Sequence, residues 1–176
     1  MHCTGSILTK KLILTAGHSF ARNSTDFIPK EKLKIVFGIN DLRQLDISFI
    51  PKIIRNIKEV RFHTSFVWPK AYSDIAILEV YKKVDFNDRI HPVCLPDNQN
   101  DDRNHLNGIK VIIVGFGPKN KNSTTMQQIS QKIMPYKYCN EKYKRRKTQR
   151  RTRLRRLLVK KLNDGFDETL ICAKNP

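Results

Sequence analysis

The chain has 176 residues, enough for about one domain with a sizeable core, and its 39 % hydrophobic content excludes wholesale disorder. Its longest apolar runs, such as Ile109 to Val114 interrupted by Lys110, are far too short to cross a bilayer, so no membrane span is expected. The formal charge of +18 suggests a nucleic-acid binder until it is mapped: residues 142–161, KYKRRKTQRRTRLRRLLVKK, carry 12 Lys or Arg and no acid, and removing those 12 from +18 leaves +6. No second basic stripe interleaved with aromatics accompanies this run, which argues against a dedicated nucleic-acid domain.

In chain order, short apolar runs recur at Ser6–Leu8, Lys11–Thr15, Leu33–Phe37, Ile53–Phe62, Ile75–Val80, Lys110–Val114 and Ile129–Met134. Clusters of Gly, Pro, Asn and Asp separate them and supply turns, so the pattern predicts an all-β protein, a sandwich or barrel. One segment has helical spacing: Leu154, Leu157, Leu158 and Leu162 share a face, which predicts a basic amphipathic helix over 152–162. There is no internal repeat and no Pro- or Ser-rich linker. The N-terminal MHCTGSILTKK has no basic region leading into an apolar stretch, so no signal peptide is read there. Asn23-Ser-Thr and Asn122-Ser-Thr are weak glycosylation acceptors.

Two residues stand out chemically. His18 follows the apolar run LILTAG, residues 12–17, and Asp74 precedes the apolar run Ile75–Leu78. A catalytic histidine needs a carboxylate on one ring nitrogen to fix its tautomer and stabilise the imidazolium, and an acid at the mouth of a buried strand is costly unless paired. Taken singly, each also has a plain structural reading: His18 as a strand cap, Asp74 as a solvent-facing turn residue.

Six blocks in one order change that balance: C-T-G-S-I-L (3–8), L-T-A-G-H (14–18), D-I-A-I-L (74–78), H-P-V-C-L-P (91–96), G-F-G (115–117) and L-I-C-A (170–173). In this arrangement the chain resembles the trypsin-like serine proteases, especially their arthropod clip-domain branch, over nearly all its length except the basic run. The resemblance implies an all-β, chymotrypsin-like double β-barrel, its first barrel nearly complete and its second truncated, carrying a basic helical insert. It implies one partial protease domain over 1–176 with the insert at 142–162. His18 falls on the family's general base and Asp74 on its buried orienting carboxylate, at hydrogen-bond distance from Nδ1. His63 and His91 fall on structural positions, while His2 and His105 carry no argument. No metal site and no cofactor are expected.

Relatives carry the nucleophilic serine in a G-D-S-G-G-P run after the L-I-C-A block, and that run does not occur within residues 1–176. By the same resemblance, the oxyanion hole, the activation strand and the specificity pocket are also expected to fall outside residues 1–176, so the stretch is expected to be inactive as it stands. The function implied is a serine-type endopeptidase of an extracellular proteolytic cascade. The alternatives are a non-catalytic homologue that binds cascade proteins, or a polyanion-binding module. The resemblance also pairs Cys139 with Cys172. It leaves Cys3 free, because Ser19 stands where relatives have its partner, and leaves Cys94 free as well. For the insert, three readings stay open: read-through of non-coding sequence, a solvated loop extended by like charge, or a surface for heparin-like chains, anionic lipid or nucleic acid.

Overall fold

The computed structural model describes residues 3–21, 26–46, 52–96, 106–116, 124–148, 162 and 170–174, with side chains in the helix as far as Arg145. The protein is mostly β. Strands β1 (Ser6–Ile7), β2 (Leu12–Thr15), β3 (Lys34–Phe37), β4 (Ile53–Phe62) and β5 (Ala76–Val80) form one sheet in the order β1-β2-β5-β4-β3. Strands β6 (Lys110–Gly115), β7 (Gln127–Ile133) and β8 (Ala173–Lys174) form a second sheet in chain order. All pairs are antiparallel. The expected all-β character and the seven strands foreseen from the runs are present, with ends displaced by one or two residues.

The first sheet owns the core. Along β5, Ala76, Leu78 and Val80 are buried on one face, the period-2 signature of a strand with one side packed. They meet Ile13 of β2, Ile57 of β4, Phe37 of β3, and Phe20, Val84 and Ile90 from the connections. The β1–β2 turn is closed by Thr9, whose Oγ1 accepts from the Lys11 and Leu12 amides at 3.2 and 3.0 Å. Strand β4 slips register between Ile57 and Glu59, a bulge at Lys58 whose ammonium bonds Glu79 of β5 at 2.7 Å.

The single α-helix among the described residues, α1, runs Tyr136–Thr148. It begins six residues before the insert. The leucine face foreseen over 152–162 lies outside the described residues, apart from Leu162, which is buried and whose carbonyl accepts from the Tyr143 hydroxyl. Pro135 stands immediately before the helix, where its missing amide costs nothing, and Pro135 O accepts from the Tyr138 amide at 3.0 Å. Cys139 of α1 is bridged to Cys172 beside β8, Cα–Cα 6.2 Å, while Cys3 and Cys94 are free and exposed, as the resemblance implies.

The two sheets are joined by backbone. The Leu42 amide donates to Thr124 O at 2.9 Å and the Met126 amide to Asn40 O at 2.7 Å, around an isolated bridge between Asp41 and Thr125. Asp41 caps the short 3-10 helix Leu42–Leu45, accepting from the Arg43 amide at 2.9 Å and from the Arg43 guanidinium. That guanidinium, with the capping amide, holds the Asp41 carboxyl far below the usual carboxylate range.

Candidate functional site

Strand register brings the two singled-out residues together across 56 positions of sequence. β2 and β5 pair antiparallel with Thr15 opposite Ala76, so the chain leaving β2 and the chain entering β5 run side by side at one end of the sheet. His18 is three residues beyond that pair and Asp74 two residues before it. Both emerge at the same edge.

On the β2 side, Ala16 is extended and Gly17–Ser19 form a single 3-10 turn, closed by amides of Ser19, Phe20 and Ala21 bonding back three residues. Phe20 drops into the core and anchors the far end of the turn. Gly17 packs directly under Phe66: a Cβ there would stand 3.0–3.2 Å from three ring carbons, so a larger residue would push the ring or the turn. Between those anchors His18 projects outward, its side chain 46 % exposed.

On the β5 side, Ser73 has φ of 49°, in the left-handed region that few non-glycine residues occupy. The Ile75 amide donates to Ser73 O at 2.8 Å, so Asp74 is the middle residue of a tight three-residue turn. That turn aims the Asp74 carboxylate back at His18. One oxygen accepts from the His18 backbone amide at 2.7 Å, and the other lies 2.6 Å from Nδ1. The carboxylate thus grips one residue at two points, main chain and ring.

The chemistry follows from donor and acceptor counting. An ionised carboxylate only accepts, so Nδ1 carries the hydrogen and Nε2 is left with its lone pair. A histidine so fixed can take a proton at Nε2, and the carboxylate at Nδ1 stabilises the cation that results. The Asp74 side chain is 20 % exposed, sheltered enough for that interaction to be stronger than in water.

Behind Asp74 lies an open cavity of about 590 Å³ between the two sheets, lined among others by Thr4, Thr15, His63, Ser73 and Val114. His63 stands there but is engaged otherwise: its Nδ1 accepts from the Ser65 amide at 3.1 Å and its backbone amide donates to Ile75 O. Thr15 Oγ1 donates to Thr4 O at 2.9 Å. His91 lies in an exposed stretch, and His2 and His105 lie outside the described residues. No three potential metal-ligating side chains converge among the described residues. No described helix is long and apolar enough to cross a membrane.

Ser73 is the positioning residue that sequence reading passed over. Its signal is faint: a small polar residue before an acid at a strand entrance, compatible with φ above zero. The ring of Phe66 over Gly17 carried no sequence signal at all.

A family model described as "Trypsin" matches residues 1–173. Among curated proteins, the chain is 27 % identical over 179 residues to the clotting factor G beta subunit of Tachypleus tridentatus, covering 99 % of this chain and 51 % of that protein. It is 29 % identical over 151 residues to the proclotting enzyme of the same organism, covering 82 % of this chain and 39 % of that protein. Transmembrane protease serine 11B of Homo sapiens is 26 % identical over 152 residues, 81 % of this chain and 32 % of that protein. The chain therefore spans about half the length, or less, of these relatives.

Proposed function

The chain belongs to the trypsin family, with that family's all-β, chymotrypsin-like fold, and from this premise we propose that it forms part of a serine endopeptidase domain in which His18 is the general base and Asp74 its orienting carboxylate. The observation that carries the reading is the double grip of Asp74 on His18, 2.7 Å to the amide and 2.6 Å to Nδ1. In acyl transfer, Nε2 of His18 accepts the hydroxyl proton of a serine as that oxygen attacks a peptide carbonyl, and later returns it to the leaving amine. Asp74 keeps the ring in the right tautomer and stabilises the transient imidazolium. The reading takes residues 1–176 as one partial domain with its insert at 142–162. It extends to an extracellular proteolytic cascade with protein substrates, since the relatives named above include a clotting factor subunit and a proclotting enzyme.

A second reading is a non-catalytic homologue that binds cascade proteins. A polyanion contact through the basic insert is compatible with either.

Labelling with a serine-directed fluorophosphonate distinguishes them. The 176-residue chain alone should not be labelled, because His18 has no serine to activate. The natural protein should be labelled at one serine, and His18→Ala should abolish it. Labelling of the 176-residue chain that depends on His18 would overturn the assignment of the nucleophile elsewhere. A natural protein that folds but takes no label would decide for the homologue.

A further inference from the structure

The second sheet carries an unexplained row of like charge. Lys110 of β6 stands directly opposite Lys132 of β7, and Lys132 directly opposite Lys174 of β8. Directly opposed residues in antiparallel strands share a face, so three lysines cross the sheet in a single file, with strands about 4.8 Å apart. All three are exposed, and β6, β7 and β8 contain no Asp or Glu. Like charges in direct register destabilise a sheet. The row continues onto α1: the Lys174 ammonium lies 5.6 Å from the centre of the Tyr138 ring, and the Lys142 ammonium lies 5.7 Å from the same centre. Two cations thus converge on one ring, and Glu141 is the one acid in the helix.

We propose that this file, Lys110–Lys132–Lys174 with Lys142 beside it, is a docking strip for a sulfated polysaccharide. The strip is one residue wide and several charges long, which fits an extended polymer of regularly repeated, fully ionised anions rather than a single small anion. Its charges are ammonium points on flexible stems, suited to sulfate oxygens and offering no planar fork to read a base edge. The one aromatic on the strip, Tyr138, is taken by the two ammoniums rather than left open for a base to stack. A membrane plane fits less well. On the lysine face, Val114 turns into the cavity shared with Thr4 and Ile75, so that face does not lie flat to solvent. The strip is independent of the protease reading and of the insert beyond Thr148.

The test is calorimetry of the full chain with a heparin-derived hexasaccharide from 50 to 300 mM NaCl. Lys110→Gln/Lys132→Gln/Lys174→Gln should weaken binding at least 10-fold at 100 mM salt and lower the slope of log K against log salt by about two. A charge-matched control in and beside the first sheet, Lys11→Gln/Lys34→Gln/Lys82→Gln, should change affinity less than twofold. Equal losses in the two triples would reduce the effect to net charge and overturn the proposal. So would loss confined to a variant with the Lys and Arg of 149–161 replaced by Gln. Single-stranded DNA or anionic vesicles that compete as well as the oligosaccharide at matched charge would overturn the choice of ligand. Should the triple variant fail to fold, Lys132→Gln alone decides: it should weaken binding about threefold while raising the melting temperature, because it removes the charge with two like neighbours. Unchanged binding with that variant would sink the strip.

Discussion

Along β5 of the first sheet, Ala76, Leu78 and Val80 lie at 1, 5 and 0 % exposure, whereas along β6 of the second, Ile112, Ile113 and Val114 lie at 67, 47 and 52 %. Both strands are rich in β-branched or aliphatic residues, and propensity alone treats them alike. What differs is the covering. The first sheet wraps a contiguous cluster from Ile13 to Ile90. The second contributes Ile133, with Cys139, Leu162 and Cys172 from α1 and its neighbours, and is held by a disulfide and a short backbone tether. His18 and Asp74 belong to the first sheet entirely. The His18–Asp74 contact rests on the packed side of the molecule, while the thinly packed side carries surface charge.

The sharpest way to break this comparison is at the site. Under the proposed function, Asp74→Asn in the natural protein should lower kcat about 10⁴-fold, a magnitude measured for this family's orienting carboxylate rather than one worked out from these distances. The melting temperature should move little, because an amide oxygen can still accept from the His18 amide. A loss of activity matched by unfolding would mean that the pair is structural.

Next in size is the covalent link. Reducing Cys139–Cys172 should destabilise the α1–β8 side by roughly 3–4 kcal/mol in the chain-entropy account of a 33-residue separation. Amide exchange should accelerate in β8 and α1 and stay unchanged in β2 and β5. Equal acceleration in both sheets would show that they unfold as one unit.

Truncation sharpens the contrast. Leu78→Ala should cost about 3 kcal/mol in denaturant unfolding, as burial lost plus a cavity, whereas Ile112→Ala should cost under about 1 kcal/mol. Similar costs would mean that something covers β6 in solution.

The smallest effect concerns the tether. The Arg43 guanidinium and amide lower the Asp41 pKa in the folded chain, so Asp41 stabilises fully above the ordinary carboxylate value near 4 and loses that contribution as pH falls through the folded value. Below about pH 4, exchange of the Leu42 and Met126 amides should quicken, and Asp41→Asn should remove that acid response. An unchanged response in the variant would assign it to other carboxylates.

Much of this was legible in the residues. Alternation and turn clusters located seven strands, and L-T-A-G-H with D-I-A-I-L located both members of the pair, because a site built at strand ends leaves its mark beside the strand signal. Helix α1 was foreseen only in part: a helical insert was expected from 142, whereas the helix already begins at Tyr136. Its inward residues, Cys139 and Tyr143, lie one helical turn apart, but one aromatic and a cysteine among lysines fall short of an apolar stripe, and the bridge to Cys172 replaces hydrophobic burial as its anchor. The lysine file was equally hidden. Lys110, Lys132 and Lys174 are far apart in sequence, and only strand register aligns them.

Register carries one more consequence, for quality control during folding. A slip of one residue between β2 and β5 displaces Asp74 along the strand by about 3.4 Å and turns its face over. A contact of 2.6 Å does not survive that displacement. Misaligned forms of the first sheet, however compact, therefore lack the His18–Asp74 contact. The His18–Asp74 pair acts as a built-in checksum on the alignment of two strands: it assembles only in the population whose pairing is correct.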